Sequence, residues 1–305
     1  FMFQMTFAII TPALIVGAYV ERIKFSSVMF ISGVWLIVVY APVTHWIWGG
    51  GWLADLGILD FAGGLVVHTT AGVSALVIAI LLGNRDDFPG RVKPPHSPGL
   101  VMAGAAMLWV GWYGFNGGSA LAANANAGMA ILVTHIAAAT ASLTWMAIDW
   151  YKNGKPGLVG MVTGTIAGLA TITPASGYVD PQSGFIIGLL AGSICYYFAG
   201  VIKETFKIDD SLDVFAVHGV GGMLGIVLVG FLANESIGGT AGLLEGNSGQ
   251  VTTQILGVVA VAAWCIIATY IIVKIANSLF GLRVSRKVAS DGLDITTHGE
   301  RGYHL

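Results

Sequence analysis

Charged side chains are scarce in this sequence. Asp, Glu, Lys and Arg together make up 10% of its 305 residues, whereas apolar types make up 55% and the mean hydropathy is +0.80. A soluble domain carries about 25% charged residues, so this composition excludes a soluble globular fold and indicates an all-α integral membrane protein. The net charge of −2 leaves no basic excess with which to bind nucleic acid.

Cysteine is also scarce, and no basic, cleavable leader is visible. Cys195 and Cys265 both lie inside apolar runs, so they are interpreted as small core residues, and neither a disulfide framework nor a metal-binding spacing is predicted. The opening stretch FMFQMTFAIITPALIVGAYV is already apolar enough to be a membrane span. Because the chain begins with Phe, we expect part of the protein to precede this sequence.

Long apolar runs dominate the chain, and a helix needs about 20 such residues to cross the hydrocarbon layer. Runs of about this length predict nine membrane-spanning helices. Several are rich in Gly, Ala and Ser, as closely packed membrane helices require. The predicted spans are residues 3–20, 26–47, 63–82, 99–121, 128–151, 158–174, 184–202, 214–233 and 253–279.

All 14 Lys and Arg residues are predicted to lie on one side of the membrane. They follow the first, third, fifth and seventh spans, or lie at or beyond the end of the ninth. Because basic loops remain in the cytoplasm, the amino end is predicted outside and the carboxyl end inside. The residues are Arg22, Lys24, Arg85, Arg91, Lys93, Lys152, Lys155, Lys203, Lys207, Lys274, Arg283, Arg286, Lys287 and Arg301.

Two histidines interrupt apolar spans, and an ionisable group at membrane depth indicates a cavity or a partner. His68 lies in DFAGGLVVH of the third span, which runs inward, and His218 lies in DVFAVHGVGG of the eighth, which runs outward. They approach the middle from opposite faces, as central sites do in transporters with inverted repeats. We expect two imidazoles that lie side by side, share a proton and form an apolar slot with a few polar contacts. The alternative is two core histidines, each hydrogen-bonded to a carbonyl.

No metal site is predicted, because zinc needs three or four ligands and the spacing implies no third one. His135 in the fifth span has no counterpart and is interpreted as packing, and His45, near an outer helix end, as interfacial. The remaining histidines lie in predicted cytoplasmic segments, and no function is predicted for them. They are His96, His298 and His304.

Aromatic residues gather at the predicted outer ends of the first, second and fourth spans. Phe3 and Trp48 are expected at the rim beside Ser119, with Phe7 and Phe115 below them. Aromatic faces attract small cations by about 0.5–2 kcal/mol each, so the pattern predicts a cation-binding vestibule above an aromatic gate. The alternative is the interfacial aromatic belt of membrane proteins. Three further residues are assigned to that belt: Trp46, Trp52 and Trp112.

Aspartates precede both spans that carry these histidines. Asp60 lies three and four residues before Gly63 and Gly64, where its carboxylate is expected to cap the third span and to favour a cation in the vestibule. Asp213 is expected to cap the eighth span on the cytoplasmic side.

Five stretches of the sequence resemble the ammonium transporter family (Amt/Mep/Rh): ILDFAGGLVVH, WYGFNGGSALAAN, ITPASGYVD, DVFAVHGVGG and the tail GLRVSRK…DGLDITTHGE. The resemblance covers essentially the whole chain. It implies eleven spans, arranged as two inverted five-helix repeats and a last long helix, with a pore in each subunit of a homotrimer. The nine visible spans look like the third to the eleventh. Residues 1–282 would form the membrane domain and residues 283–305 a cytoplasmic tail.

The resemblance also implies roles for the candidate residues. The implied set comprises Trp48, Ser119, Phe3 and Asp60 for ammonium recruitment, Phe7 and Phe115 for the gate, His68 and His218 as twin histidines, and Leu108 and Val214 as pore lining. Trp48 favours the Amt branch over the Rh branch. Leu65 departs from relatives that hold the aspartate with a hydroxyl residue, which leaves Gly63 and Gly64 as its expected partners.

The predicted function is selective transport of ammonium across the cell membrane, and the family precedent favours net movement of charge. No cofactor is predicted, nor an enzyme, because no nucleophile, base and oxyanion set converges. Two alternatives remain open, an ammonium sensor that signals through its tail and a passive channel for neutral solutes such as NH3 or urea. A sodium-coupled transporter would need unwound mid-span carboxylate or carbonyl sites, and none is evident.

The implied partners are the lipid bilayer, further copies of the chain, and a PII-type nitrogen-signalling protein. Such a regulator would insert a loop into the cytoplasmic end of the pore. A tail that packs on its own subunits is equally compatible with the sequence of residues 283–305.

Overall fold

The computed structural model describes residues 1–90 and 92–303, so Arg91 and His304, both assigned above, lie outside the described residues. Within that part of the chain the regular structure is helical, with a single isolated β-bridge between Ile23 and Arg283. The prediction of an all-α bundle is confirmed. Its nine apolar helices are α1 (Met2–Ala18), α2 (Phe25–Asp55), α3 (Gly64–Leu82), α4 (Pro98–Gly118), α5 (Ala125–Asn153), α6 (Leu158–Ile172), α7 (Pro181–Thr205), α8 (Phe215–Leu232) and α9 (Gly249–Phe280).

Each predicted span corresponds to one of these helices, but α1 and α6 are shorter than the other seven. The sixth span was predicted to reach Pro174, whereas α6 ends at Ile172 because Pro174 has no N–H with which to continue the helical ladder. The chain continues through buried turns as far as Val179. Irregular backbone is tolerated at this depth because protein surrounds it.

Helices α3 and α8 form the centre of the bundle. Their most apolar windows are 78% and 61% buried, against 11% for α4. The two backbones touch where they cross, because a Cβ on Gly72 would overlap the backbone nitrogen of Gly219. A Cβ on Gly222 would lie 2.7 Å from the Cβ of His68. Glycine at these positions therefore allows α3 and α8 to approach as closely as small-residue helix pairs do in membranes.

One end of the bundle contains a charge network that joins four connections. The fully buried Arg22 donates from Nη2 to the backbone oxygen of Asp209 at 2.6 Å and lies 3.8 Å from its carboxylate. Arg85 donates to the same carboxylate from Nε at 2.9 Å and from Nη2 at 2.8 Å. Arg283, beyond α9, donates to the backbone oxygen of Asn84 at 2.7 Å. We refer to this end as the basic end, and to the opposite end, which carries Trp48, as the aromatic end.

The network keeps its buried ions charged. Burial by itself would raise the pKa of Asp209, but the hydrogen bonds from Arg85 and the charge of Arg22 bring it below its usual value. Burial lowers the pKa of Arg22 to about 10, against the opposing effect of Asp209. Both groups are therefore ionised at neutral pH, as a satisfied buried pair requires.

The chain beyond α9 packs against the basic end. Val284 donates its backbone N–H to the carbonyl oxygen of Arg22 at 3.0 Å, and the ring of His298 meets that of Phe25 edge-on at 5.2 Å. Two short helices, Arg286–Asp291 and Asp294–His298, form this segment. These contacts favour the tail-packing alternative, while the domain division at residue 282 remains a prediction.

Candidate functional site

Four aromatic rings from three helices converge at the aromatic end. Phe7 lies at their centre and is 1% exposed. Its ring centroid is 4.3 Å from that of Phe115, 4.9 Å from that of Phe3 and 5.5 Å from that of Trp48. The structure thus brings together the four aromatics that the sequence assigned to rim and gate. A cation at the partly exposed rings would be attracted by their π faces.

The Ser119 hydroxyl completes the polar edge of this aromatic group. It donates its hydrogen to the carbonyl oxygen of Phe115 at 2.9 Å, so the lone pairs of the hydroxyl oxygen remain available as acceptors. An acceptor beside aromatic faces suits a small cation that carries N–H donors.

Asp60 is 5% exposed and caps α3 with both carboxylate oxygens. Oδ1 accepts from the backbone N–H of Gly63 at 2.8 Å and Gly64 at 2.6 Å, and Oδ2 accepts from Leu65 at 2.8 Å and Val66 at 3.2 Å. Gly63 and Gly64 are the expected partners, and Leu65 contributes through its backbone although it has no hydroxyl. Burial raises the pKa of Asp60, while the four N–H donors favour its charged form.

Asp60 also holds the rim in place. Its backbone oxygen accepts a hydrogen bond from Trp48 Nε1 at 2.8 Å. The same residue therefore fixes the start of α3 and the orientation of the rim indole, so its carboxyl group lies close to the aromatic group.

Beneath the aromatic group, His68 and His218 stack on one another. Their Nδ1 atoms are 3.2 Å apart, and their ring centroids are separated by 5.2 Å at an interplanar angle of 22°. One Nδ1 must carry the hydrogen and the other accept it, because a neutral imidazole has one donor and one acceptor. His68 Nε2 is buried and has no hydrogen-bond partner among the described residues. The side-by-side arrangement expected from the sequence is present.

Local backbone features of α3 and α8 bring the two histidines together. Each lies in a π-helical segment, Gly64–Thr69 for His68 and Phe215–Val220 for His218. π-Helical turns are rare and occur frequently at functional sites. The Gly72–Gly219 crossing then lets the two segments approach until the rings touch.

The carboxylate that caps α8 is Asp210, so the prediction of Asp213 in this role was wrong. Asp210 Oδ2 accepts from the backbone N–H of Phe215 at 2.7 Å. The carboxylate of Asp213 instead pairs with Lys203 at 2.8 Å, because Asp213 adopts a left-handed φ of 58° in the turn before the helix. The interval from Asp60 to His68 is the same as that from Asp210 to His218. This shared spacing was the signal in the sequence that identifies the cap.

Trp112 was assigned to the interfacial belt, and the structure corrects this assignment. It is 6% exposed, its ring stacks on His68 with centroids 5.4 Å apart, and its Nε1 donates to Thr173 Oγ1 at 2.9 Å. The ring centroids of Trp46 and Trp52 lie 5.9 Å apart near the aromatic end, and the assignment of both residues to the interfacial belt stays a prediction. The residues next to Trp112 in the sequence could not reveal this position, because Thr173 lies in the turn that follows α6.

The two predicted pore-lining residues lie on different sides of the histidines. Leu108 lines an apolar cavity of about 610 Å³ between α1, α3 and α4, together with His68 and Phe115. Val214 is buried one turn before His218, and a Cβ on Gly17 would lie 2.7 Å from its side chain. Leu108 therefore belongs to the space beside the histidines and Val214 to the basic-end side.

A second cavity of about 600 Å³ opens at the basic end, and we call it the basic-end cavity. It lies between the ends of α5 and α7 and the start of α6, next to the turn that precedes α8. Unlike the first cavity, it is lined by many polar groups. They include Asp149, Lys152, Tyr196, Lys203, Glu204 and Asp213.

Three further histidines line neither of these two cavities. His135 stacks on Trp109 and makes a 2.8 Å hydrogen bond with the Tyr113 hydroxyl, which accounts for its place in a span. His45 is exposed near the end of α2. His96 meets Tyr303 edge-on at 5.4 Å.

Comparisons with known proteins agree on one relationship. Residues 1–303 match the profile of the Ammonium Transporter Family. The chain is 50% identical over 302 residues to "Ammonium transporter Amt1" of Archaeoglobus fulgidus, and the match covers 99% of this chain and 77% of that protein. Its structure is similar to that of Saccharomyces cerevisiae Mep2, with a TM-score of 0.88 and 40% identity over 92% of this chain and 66% of that one. A solved structure described as "Sensor Amt Protein" matches with a TM-score of 0.91 and 33% identity, over 96% of this chain and 75% of that one.

Proposed function

Because the chain belongs to the ammonium transporter family, a family of multi-pass membrane transporters rather than enzymes, we propose that it moves ammonium selectively across the cell membrane. The observation that carries this proposal is the stacked pair His68 and His218 directly beneath an aromatic group whose rim is bordered by a buried aspartate.

Recruitment takes place at the aromatic end. Ammonium approaches the faces of Trp48 and Phe3, and donates a hydrogen bond to the free lone pairs of Ser119 Oγ. The negative charge of Asp60 adds a longer-range attraction. A neutral solute such as urea or water gains nothing from the cation–π term, so this step supplies selectivity.

Passage then requires loss of charge. Bare transfer of a cation through an apolar passage is strongly unfavourable, so the ion releases a proton near the Phe7 and Phe115 gate and continues as NH3. The unpaired Nε2 of His68 offers NH3 a hydrogen-bond partner in an apolar setting. The proton follows separately along the shared Nδ1 contact with His218, which makes transport electrogenic. Leu108 and Val214 line the passage on either side of the pair.

The charge distribution supports an orientation in the membrane. The basic end faces the cytoplasm, because basic segments are retained there, so the carboxyl terminus is cytoplasmic. The functional unit is a homotrimer with one path in each subunit. The proposed cytoplasmic partner is a PII-type regulator, and Asp149 and Glu204 at the basic-end cavity offer carboxylates to a basic side chain on its loop.

The test is a current recorded on solid-supported membranes that carry the protein. An ammonium jump should give a transient current, whereas sodium, potassium and urea should give none. Replacement of both His68 and His218 by Ala should abolish it in protein that is still folded and inserted. If the vesicle interior became alkaline without a current, the protein would conduct NH3 without net movement of charge, and the electrogenic mechanism would be wrong. The absence of both signals would refute transport.

A sensor is the second candidate, favoured by the structural similarity to a protein described as "Sensor Amt Protein" and by the tail that packs on the basic end. A sensor would bind ammonium without current, and binding would change the protection of residues 283–303 in hydrogen exchange. Current with an unchanged tail would exclude this function.

A further inference from the structure

One side-chain amide on the last helix holds the backbone that leads into Asp60. Gln254 of α9 is fully buried. Its Oε1 accepts the backbone N–H of Leu59 at 2.8 Å, and its Nε2 donates to the backbone oxygen of the same residue at 2.7 Å. The amide therefore pairs with both polar groups of Leu59, as a neighbouring β-strand would. Because Leu59 directly precedes Asp60, this pairing fixes the backbone at the entry to the aspartate.

A second glutamine extends the same contact. Residues 57–61 run as irregular chain between α2 and α3, so their backbone groups depend on partners from elsewhere in the bundle. Gln250, one turn before Gln254 on α9, donates from Nε2 to the backbone oxygen of Gly57 at 2.9 Å. It also donates to Gln254 Oε1 at 3.2 Å. The two side chains therefore bind the irregular segment at two points.

Asp60 lies between two fixed neighbours. The residue before it is held by Gln254, and the residue after it, Phe61, donates its backbone N–H to the carbonyl oxygen of Pro174 at 3.1 Å. Asp60 itself accepts the Trp48 indole N–H at its backbone oxygen. A displacement of this backbone would therefore move the carboxyl group and the rim indole together.

The same amide also contacts the helix that carries His218. Gln254 Nε2 donates to the backbone oxygen of Ile226 at 3.1 Å, eight residues after that histidine on α8. Both amide hydrogens and both lone pairs of Oε1 are thus used. A Cβ on Gly230 would lie 3.0 Å from Gln254 Cγ, so α8 leaves the side chain little room to move. One side chain therefore ties the entry to Asp60 to α8.

We propose that Gln254, supported by Gln250, is a positioning residue for ammonium recruitment. Through Leu59 it sets the place of the Asp60 carboxyl group and the Trp48 indole. The inference rests on the proposed function, since the rim that it positions is the proposed recruitment site. Its loss should weaken capture of the cation more than it slows passage, because the histidine pair is held by the direct crossing of α3 and α8.

The test measures the ammonium-triggered current on solid-supported membranes over a range of ammonium concentrations, which separates the half-saturating concentration from the maximal current. Gln254→Met keeps the length of the side chain and removes every hydrogen bond of the amide. The half-saturating concentration should rise about threefold to tenfold, the factor that corresponds to loss of one cation–π contact. The maximal current should fall by less than about twofold, as expected when binding rather than passage is impaired.

A double-variant cycle with Trp48→Leu tests whether Gln254 acts through the rim. If the two residues act as one unit, Gln254→Met should raise the half-saturating concentration much less in the Trp48→Leu background than in the native one. Fully additive shifts would overturn the positioning role, because the two residues would then act independently.

Thr269→Val is the matched control. Thr269 is a fully buried polar residue of the same helix, and its hydroxyl donates to Ser74 Oγ on α3 at 2.8 Å. It lies 15 residues beyond Gln254, about 22 Å along the helix axis. The variant should lower the melting temperature and leave the half-saturating concentration unchanged. An equal rise in this control would overturn the proposal, since general loosening of the bundle would then explain the effect.

Gln250→Leu is the second variant, for the case in which Gln254→Met does not fold. It removes the bond to Gly57 and leaves the pairing of Gln254 with Leu59 in place, so it should raise the half-saturating concentration by a smaller factor. A native value in either folded variant would overturn the positioning role and leave transport intact. No current from the native protein would instead refute the proposed function.

Discussion

The segments that precede the two histidines share the spacing of their capping aspartates but differ in the hydrogen bonds that those aspartates make. Asp60 and Asp210 lie at the same interval before their histidines, and a residue with positive φ stands three positions after each, Gly63 at 115° and Asp213 at 58°. Asp60 accepts four backbone N–H groups. Asp210 Oδ2 accepts from Phe215, and Oδ1 is buried without a partner in the described residues.

The two segments therefore differ in how completely their capping carboxylates are hydrogen-bonded. The segment at the aromatic end is fully hydrogen-bonded and contains glycine where the backbone needs positive φ. At the basic end, an aspartate takes the glycine position and its carboxylate reaches Lys203. Burial raises the pKa of Asp210 to about 7, and the charge of Asp213 acts in the same direction. The symmetry of the backbone thus coexists with a marked asymmetry of charge.

The largest effect is expected where the two segments touch. Gly72→Ala places a Cβ against the backbone of Gly219, which cannot move aside as a side chain can. We expect a loss of about 3 kcal/mol in the free energy of unfolding, at the upper end of overpacking effects, and loss of the ammonium-triggered current. Gly33→Ala is the matched control, because its Cβ meets nothing within 4 Å, and it should raise stability slightly. Equal thermal stability of the two variants would contradict the crossing.

A second comparison replaces each capping carboxylate by its amide. Asp60→Asn leaves two of four N–H donors facing an NH2 group, so we expect it to lower the free energy of unfolding by about 2–3 kcal/mol. Asp210→Asn can keep its single 2.7 Å bond through the amide oxygen and should change stability by less than about 1 kcal/mol. Denaturant titration of both variants checks the order. Equal losses would mean that the two caps are equivalent.

A smaller effect should appear in the pH dependence of stability. The pKa of Asp210 rises from 3.8 to about 7 on folding, so between these values the folded protein holds a proton that the unfolded chain has released. The stabilisation from this group is complete at low pH and is lost as pH rises through 7. Asp213, Lys203 and the N–H groups of Val214 and Phe215 are the neighbours that set this pKa.

Asp210→Asn removes the titration. The melting temperature of the native protein should therefore fall relative to that of the variant between pH 5 and pH 8. Subtracting the variant cancels the histidines and other groups that titrate in the same range. Parallel curves across this range would show that Asp210 does not bind a proton on folding.

The smallest effect concerns the left-handed residue. Asp213→Gly relieves backbone strain but loses a partly exposed ion pair with Lys203, so its stability should stay close to native. Asp213→Ala loses the pair and keeps the strain, and should be less stable than the glycine variant by about 1 kcal/mol. Thermal unfolding of the two variants measures the difference. If alanine were equal to glycine, the turn would adopt another backbone conformation.

The sequence predicted the parts of the structure that depend on composition and local pattern. Nine long apolar runs became nine helices, and two histidines in opposed spans became the stacked pair, because burial and periodicity are written in consecutive residues. The convergence of Trp48 with Phe7 followed from span direction alone. The functional roles of these residues remain predictions.

The parts that were missed depend on contacts between distant residues. Trp112 lies beside His68 and donates a hydrogen bond to Thr173, 61 residues away in the turn that follows α6. The buried position of Arg22 requires the carbonyl of Asp209, 187 residues later. Asp213 was preferred to Asp210 because the letters of the motif do not report a φ of 58°. In each of these cases the outcome depended on a distant hydrogen-bond partner or on the sign of a φ angle, and not on the local preferences of the residues.

Arg22 also constrains the order in which this protein can be assembled. Its guanidinium partner at Asp209 is translated 187 residues later, which at about 5–20 residues per second means a wait of about 10–40 s. During that interval the side chain has no buried acceptor from the α7–α8 connection, so it must stay among the lipid headgroups and water. The same arginine is therefore solvated first, and later it links the α1–α2 connection to the α7–α8 connection. The basic end can therefore complete its packing only after the α7–α8 connection has been synthesised.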